Sequence, residues 1–183
     1  DKANGSVSSS TDYEQCWYDP AGNETQMRKR DGQLIVSTYD DLNRRTFRDA
    51  PGTAQDVTFA YDHFGRRLSA TMAGSTVSFA YDAQDRVKEE VSAAGTVGYL
   101  YDAAGNNTRV TWPDDYRADY AFNAASELTT VKENNSATLA TYAYDAIGRR
   151  ASITRGNGVV TRYGFDAASR LSWAPPEIKR SVM

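Results

Sequence analysis

The sequence predicts an all-β protein, an antiparallel meander of β-hairpins with about eight repeats of two strands, hence about sixteen strands. Three observations predict it. First, an aromatic residue followed by Asp or Asn recurs eight times at intervals of 20 to 22 residues: Tyr18-Asp19, Tyr39-Asp40, Tyr61-Asp62, Tyr81-Asp82, Tyr101-Asp102, Phe122-Asn123, Tyr144-Asp145 and Phe165-Asp166. A fixed period of this size is the signature of a repeat architecture. Second, the residues on either side of each pair alternate apolar and polar with a period of two, as half-buried strands do. Third, Gly, Asn and Asp cluster between these stretches, and helical periodicity appears nowhere.

The elements follow in chain order. Asp1 to Ser10 is small and polar, so residues 1–12 are expected to be a polar N-terminal segment or a partial repeat, and residues 13–173 the repeat sheet. The first turn, Tyr18-Asp19 with Gly22, is followed by Asp31-Gly32 at the opposite end of its unit. The second, Tyr39-Asp40 with Asn43, is followed by Pro51-Gly52. The third unit shows the pattern best. Val57, Phe59 and Tyr61 alternate with Asp56, Thr58 and Ala60; after the turn Tyr61-Asp62-His63-Phe64-Gly65-Arg66, Leu68, Ala70 and Met72 alternate again. β-branched and aromatic residues suit such a pleated surface. Asp62 can accept backbone N–H bonds from residues just ahead of it, and Gly65 can take the left-handed conformation that a short bulged hairpin needs.

After Ala73-Gly74, Val77, Phe79 and Tyr81 repeat the alternation, Asp82 opens a turn with Asp85, and Ala94-Gly95 ends the unit. Val97, Tyr99 and Tyr101 lead into Asp102 and Gly105, then Pro113-Asp114-Asp115. Phe122-Asn123 has Ser126 and then Asn134-Asn135; Tyr144-Asp145 has Gly148, then Gly156-Asn157-Gly158; Phe165-Asp166 has Ser169. Asn and Asp tolerate the left-handed position better than other non-glycine residues, so Ser126 and Ser169 are the least suited. Pro175 and Pro176 end the pattern, leaving residues 174–183 as a tail.

The totals exclude several functions. With 40% hydrophobic residues and a mean hydropathy of −0.65, the apolar supply suits a thin sheet better than a thick core. The 21 basic and 24 acidic residues are mixed along the chain, without the basic stripe of a nucleic-acid binder. Cys16 is the single cysteine and His63 the single histidine, so no intramolecular disulfide or Cys/His metal site is expected. No run approaches the roughly 18 apolar residues of a membrane span. No nucleophile-elbow, zinc-protease, Walker or dinucleotide-binding pattern is present, so neither a cofactor nor a catalytic residue is expected.

Three ladders remain. The acids Asp19, Asp40, Asp62, Asp82, Asp102, Asp145 and Asp166 are equivalent by construction, whereas catalytic carboxylates need unequal environments. They read as turn caps. Arg44-Arg45, Arg66-Arg67 and Arg149-Arg150, with Arg86 and Arg170, are expected to pair with the acids of their own turns; an anionic partner such as a sulfated glycan is the alternative. The tyrosines are expected to stack as a stripe, with a sugar-binding platform as the alternative. His63 reads as a turn-tip residue, and Asp19-Pro20-Ala21-Gly22 as the first turn of the series.

The residues Tyr61-Asp62-His63-Phe64-Gly65-Arg66-Arg67-Leu68 and Tyr144-Asp145-Ala146-Ile147-Gly148-Arg149-Arg150 carry a resemblance to the Rhs/YD-repeat family, which includes toxin-complex components and the animal teneurins. Eight copies in phase over residues 13 to 173 make it specific. The resemblance implies a section of a β-shell, in which hairpins wind into a curved, spiralling sheet around a hollow interior. In bacterial members that cocoon holds a C-terminal polymorphic toxin before secretion, which implies the remainder of the shell and a toxin cargo as partners and a secreted or cell-surface location, or a cytoplasmic one before export. It implies a structural module rather than an enzyme. The alternative is a cell-surface module binding carbohydrate or protein. An isolated strip also exposes two sheet edges, which predicts self-association.

Overall fold

The computed structural model describes residues 12–52, 55–173 and 176–177. The expected N-terminal segment lies outside them except for Asp12, and the expected tail except for Pro176 and Glu177. The chain divides into two compact units, Asp1–Ala94 and Gly95–Met183.

Unit 1 holds β1 (Gln15–Tyr18), β2 (Glu24–Arg28), β3 (Leu34–Tyr39), β4 (Arg45–Asp49), β5 (Val57–Tyr61), β6 (Arg67–Met72), β7 (Ser75–Tyr81) and β8 (Val87–Ser92). Each strand pairs antiparallel with the next in sequence. Register gives the sheet two unlike faces. Val57↔Met72, Phe59↔Ala70 and Ala70↔Val77 put apolar side chains on one face, while Thr58↔Thr71↔Thr76 and Ala60↔Ser69↔Ser78 put small and hydroxyl side chains on the other.

Unit 2 holds β9 (Gly95–Tyr101), β10 (Asn107–Thr111), β11 (Arg117–Phe122), β12 (Leu128–Glu133), β13 (Ala137–Tyr144), β14 (Arg150–Arg155), β15 (Val160–Arg162), β16 (Gly164–Phe165), β17 (Leu171–Trp173) and β18 (Pro176–Glu177). From β9 to β15 it is again a plain meander. The eighth hairpin departs from it: β16 and β17 pair only with each other, and β18 takes the place beside β15 through Val160↔Glu177 and Thr161↔Pro176. Two residues expected in the tail are therefore strand. Proline is tolerated there because an edge strand can leave its N–H side unpaired.

Among the described residues neither unit has a conventional core. Among the described residues, Ala50 and Ala118 are the buried apolar side chains, Ser37 is buried and polar, and no large side chain is fully buried. Each unit is a single layer in which most side chains are half covered by their sheet neighbours.

Candidate functional site

The recurring site is the turn that opens with the aromatic–Asp pair. In the third repeat, Gly65 N–H donates to the Asp62 carbonyl at 3.1 Å, and Asp62 N–H donates to the Arg66 carbonyl at 2.9 Å. This is a three-residue hairpin loop with its last residue left-handed, Gly65 at φ 86°. The Asp62 carboxylate fills the loop: Oδ1 accepts from Phe64 N–H and Arg66 N–H, both at 2.9 Å, and Oδ2 accepts from Arg66 Nε at 2.7 Å. The register slips by one residue between Ala60 and Tyr61, so each hairpin carries a bulge beside its aromatic.

The same backbone bonds close the turns at Asp19, Asp40, Asp82, Asp102, Asn123, Asp145 and Asp166. What varies is the residue four positions after the acid, which supplies the side-chain donor. It is Arg44 for Asp40, Arg86 for Asp82, Arg149 for Asp145 and Arg170 for Asp166, and Asn23 or Asn106 for Asp19 or Asp102. In the sixth repeat the roles invert: Asn123 stands where the acid would be, and its Nδ2 donates to Glu127 Oε2 at 2.6 Å. One donor and one acceptor are kept although both residues have changed.

These bonds set the electrostatics. All seven turn aspartates are held below the usual carboxylate value. The Arg44 side chain, then its backbone N–H, does this for Asp40. Partial burial pushes Asp62 up, but the Arg66 side chain and backbone N–H outweigh it. For Asp145 and Asp166 the backbone N–H of Arg149 and of Arg170 leads, followed by their guanidinium groups. Carboxylates that are equivalent, paired and depressed are poorly placed for proton transfer near neutral pH.

The first arginine of each doublet also reaches the next repeat. Arg44 lies 4.9 Å from the centre of the Tyr61 ring, Arg66 4.7 Å from that of Tyr81, and Arg149 4.6 Å from that of Phe165. At these positions the expected stripe of tyrosine on tyrosine is instead arginine on aromatic. Successive pairs lie two strand spacings apart, roughly 9–10 Å, beyond the 4.5–7 Å of ring–ring contact, and the intervening guanidinium fills the gap. The second arginine covers an aromatic of its own hairpin, Arg67 over Phe59 and Arg150 over Tyr142. The tyrosine hydroxyls tie backward: Tyr39 Oη donates to the Glu24 carbonyl, Tyr61 to Arg45, Tyr81 to Arg67 and Tyr144 to Leu128, at 2.7–2.9 Å.

A second period runs through these contacts. The left-handed residue alternates along the chain as Gly22, Asn43, Gly65, Asp85, Gly105, Ser126, Gly148 and Ser169, all at positive φ. Every glycine turn sends a side chain to the polar residue of the turn after it: Asn23 Nδ2 to Asn43 Oδ1, Arg66 Nη1 to Asp85 Oδ1, Asn106 Nδ2 to Ser126 Oγ, and Arg149 Nη1 to Ser169 Oγ, at 2.6–3.2 Å. The two serines thus sit at φ 59° with their hydroxyls accepting these bonds, which offsets the strain. The alternation is visible in the sequence; its meaning required the contacts.

The remaining candidates are unremarkable chemically. Cys16 is half-buried, and its hydrogen bond with the Glu24 carboxylate, then partial burial, push its thiol above the ordinary value, away from the reactive thiolate. The His63 ring packs on Phe64 at 3.9 Å between centres. Asp19-Pro20-Ala21-Gly22 closes with the same bonds as the other turns. Among the described residues no group of three His, Cys, Asp or Glu could hold a metal ion, and no helix is long and apolar enough to cross a membrane.

The chain was compared with known proteins. The sequence profile of the teneurin YD-shell matches residues 4–132, and that of the RHS repeat matches residues 144–172. A search of curated protein sequences found no significant match. Among solved structures, the TcdB2–TccC3 complex superposes with a TM-score of 0.77 at 13% identity, covering 91% of this chain and 10% of that one. TcdB2–TccC3 without its hypervariable C-terminal region gives 0.75, 13%, 91% and 10%. The Photorhabdus luminescens Tc holotoxin pore with a substituted TccC3 gives 0.75, 14%, 89% and 10%. At these identities the likeness is one of fold, and this chain spans about a tenth of the length of the chains it matches.

Proposed function

The chain belongs to the teneurin YD-shell family, and from that premise we propose that it is a length of wall: part of a hollow β-cocoon that encloses a C-terminal toxin and presents it for export, without catalysing a reaction itself. The observation that carries this reading is the absence of a core. Among the described residues only Ala50, Ala118 and Ser37 are buried, so the fold keeps a large two-faced sheet exposed at modest thickness. A compact enzyme or binding domain of this size would bury most of its apolar side chains. A wall gains from being thin, because exclusion of proteases and solvent depends on the continuity of the sheet. The repeat turns fit the same purpose, since their polar groups bond to one another within and between hairpins.

Walls of this kind act by closure. A closed sheet has no free edges and separates its contents from the surroundings. The remainder of the shell and the enclosed toxin are then this segment's partners, and its place is outside the bacterial cell after export. The test uses the parent polypeptide: limited proteolysis of its C-terminal region before and after removal of residues 40–81. Protection lost on removal supports the reading, and a C-terminal region cut equally fast in both forms refutes it.

A further inference from the structure

In the repeat turns the capping carboxylates are bound within the chain; on the polar face of unit 2 several polar side chains are left without a bond. Strand register sets Leu100, Arg109, Asp119 and Lys132 side by side across β9 to β12. One row on, Ala121 faces Thr130. The alanine methyl is too small to fill its place between longer neighbours, and a cavity of about 270 Å³ opens there, lined also by Thr108 and Asn135.

The charges in this cavity do not cancel. Arg109 Nε donates to Asp119 Oδ1 at 2.5 Å, and Arg117 Nε lies 3.4 Å from Asp119 Oδ2. Arg109 thus binds Asp119 Oδ1, while Asp119 Oδ2 and Arg117 Nε face each other as an ion pair without a hydrogen bond, and the Asp119 side chain is only 14% exposed. The side chain of Lys132, directly opposite Asp119, has no hydrogen bond or ion pair with a described residue. The hydroxyls of Thr108 and Thr130 and the amide of Asn135 are equally unengaged. Leu100, 53% exposed, supplies an apolar wall.

We propose that this cavity binds a compact hydroxylated organic anion, a hydroxy-carboxylate of about the size of a six-carbon sugar acid. The Lys132 ammonium and the terminal nitrogens of Arg109 take the carboxylate, a charge-assisted pairing. The threonine hydroxyls and Asn135 take the ligand hydroxyls, and Leu100 and Ala121 take its carbon chain. The space is equivalent to roughly nine waters at ~30 Å³ each, which admits a small molecule and excludes a folded partner. Asp119 positions Arg109 and does not touch the ligand.

Gluconate is the probe, titrated into the isotope-labelled 183-residue chain and followed by amide NMR shifts. Saturable shifts confined to Leu100, Thr108, Arg109, Asp119 to Ala121, Thr130 to Lys132 and Asn135 are expected, with a dissociation constant on the order of 1 mM. Sorbitol, which has the hydroxyls without the charge, and propionate, which has the charge without the hydroxyls, should each bind at least tenfold more weakly. Lys132→Met should weaken gluconate binding at least tenfold and leave distant shifts unchanged, whereas Lys29→Met in unit 1 should have no effect. Thr130→Val gives a second, uncharged perturbation and should weaken binding severalfold. Shifts that do not saturate, equal binding of propionate and gluconate, or full affinity in Lys132→Met would each overturn the proposal.

Discussion

Replacing Gly65 by Ala isolates the conformational demand of the repeat turn. Gly65 has φ 86°, and a Cβ built there meets nothing within 4 Å. The whole cost is therefore local: an L-residue forced into the left-handed region, about 1–2 kcal/mol. For a chain of this length each kcal/mol moves Tm by about 2–4 °C, so Gly65→Ala should lower it by about 2–8 °C. Asp85, the left-handed residue of the next turn at φ 62°, should behave differently. Asp85→Gly relieves backbone strain but loses the 2.6 Å ion pair with Arg66, on a side chain 72% exposed. Such a pair contributes about 0–1 kcal/mol, and glycine adds about 0.5–1 kcal/mol of unfolded-state entropy; the opposing effects should leave the net change near zero. Gly148→Ala should cost more than Gly65→Ala, because its Cβ would lie 2.9 Å from Glu127 Oε1, and that carboxylate also holds Asn123. Thermal melts followed by circular dichroism, with urea midpoints as a check, rank the three variants. Equal stability of Gly65→Ala and the parent would refute the turn geometry. A larger loss in Asp85→Gly than in Gly65→Ala would show that the inter-turn bond, rather than the backbone conformation, dominates.

Three further outcomes are expected. The seven turn aspartates have native values below the ordinary 3.8, so their contribution is complete above the unfolded value and is lost as pH falls through the depressed native ones; Tm should be level from pH 7 to about 5 and fall steeply below about 4, and less steeply in Asp62→Asn. Tyr81→Phe removes the hydroxyl that donates to the Arg67 carbonyl at 2.7 Å and should cost about 0.5–1.5 kcal/mol in urea unfolding, an effect absent in Tyr18→Phe if the backward tie is what matters. Deleting residues 40–81, a glycine turn with a polar one, should destabilise less per residue removed than deleting 62–81 alone, because the single deletion puts Asn43 and Asp85 in consecutive turns; equal per-residue losses by calorimetry would argue that the hairpin, not the pair, is the unit.

Much of this architecture was legible because it is local. Gly65, Asp62 and the alternation of Val57, Phe59 and Tyr61 announce a bulged hairpin from chemistry within a dozen residues, and register then follows from the turn. The pairing of Arg44 with Asp40 and of Arg66 with Asp62 was equally open to reading, since donor and acceptor stand four residues apart in one loop. Contacts between repeats were not legible in the same way. At Tyr61 and Tyr81 the neighbour from the preceding repeat is an arginine rather than a ring, because strand spacing, which no sequence period states, keeps successive rings apart. The pairing of Asn123 with Glu127, in which amide and carboxylate exchange roles, follows from the side-chain contact and not from the motif.

The last hairpin marks the same boundary. Pro175 and Pro176 signal an end to the repeat, and nothing in their chemistry shows that β18 would lie beside β15 while β16 and β17 paired apart. Likewise the Ala121 gap and the unengaged Lys132 arise from which residues become lateral neighbours across four strands. What the sequence by itself determined is the repeating hairpin, because turn conformation and strand alternation are short-range demands of backbone sterics and solvent. What only the tertiary structure decided is how one hairpin grips the next and where a side chain is left without a partner, because those depend on distances between residues some twenty positions apart, where side-chain reach and strand spacing choose among several possible partners.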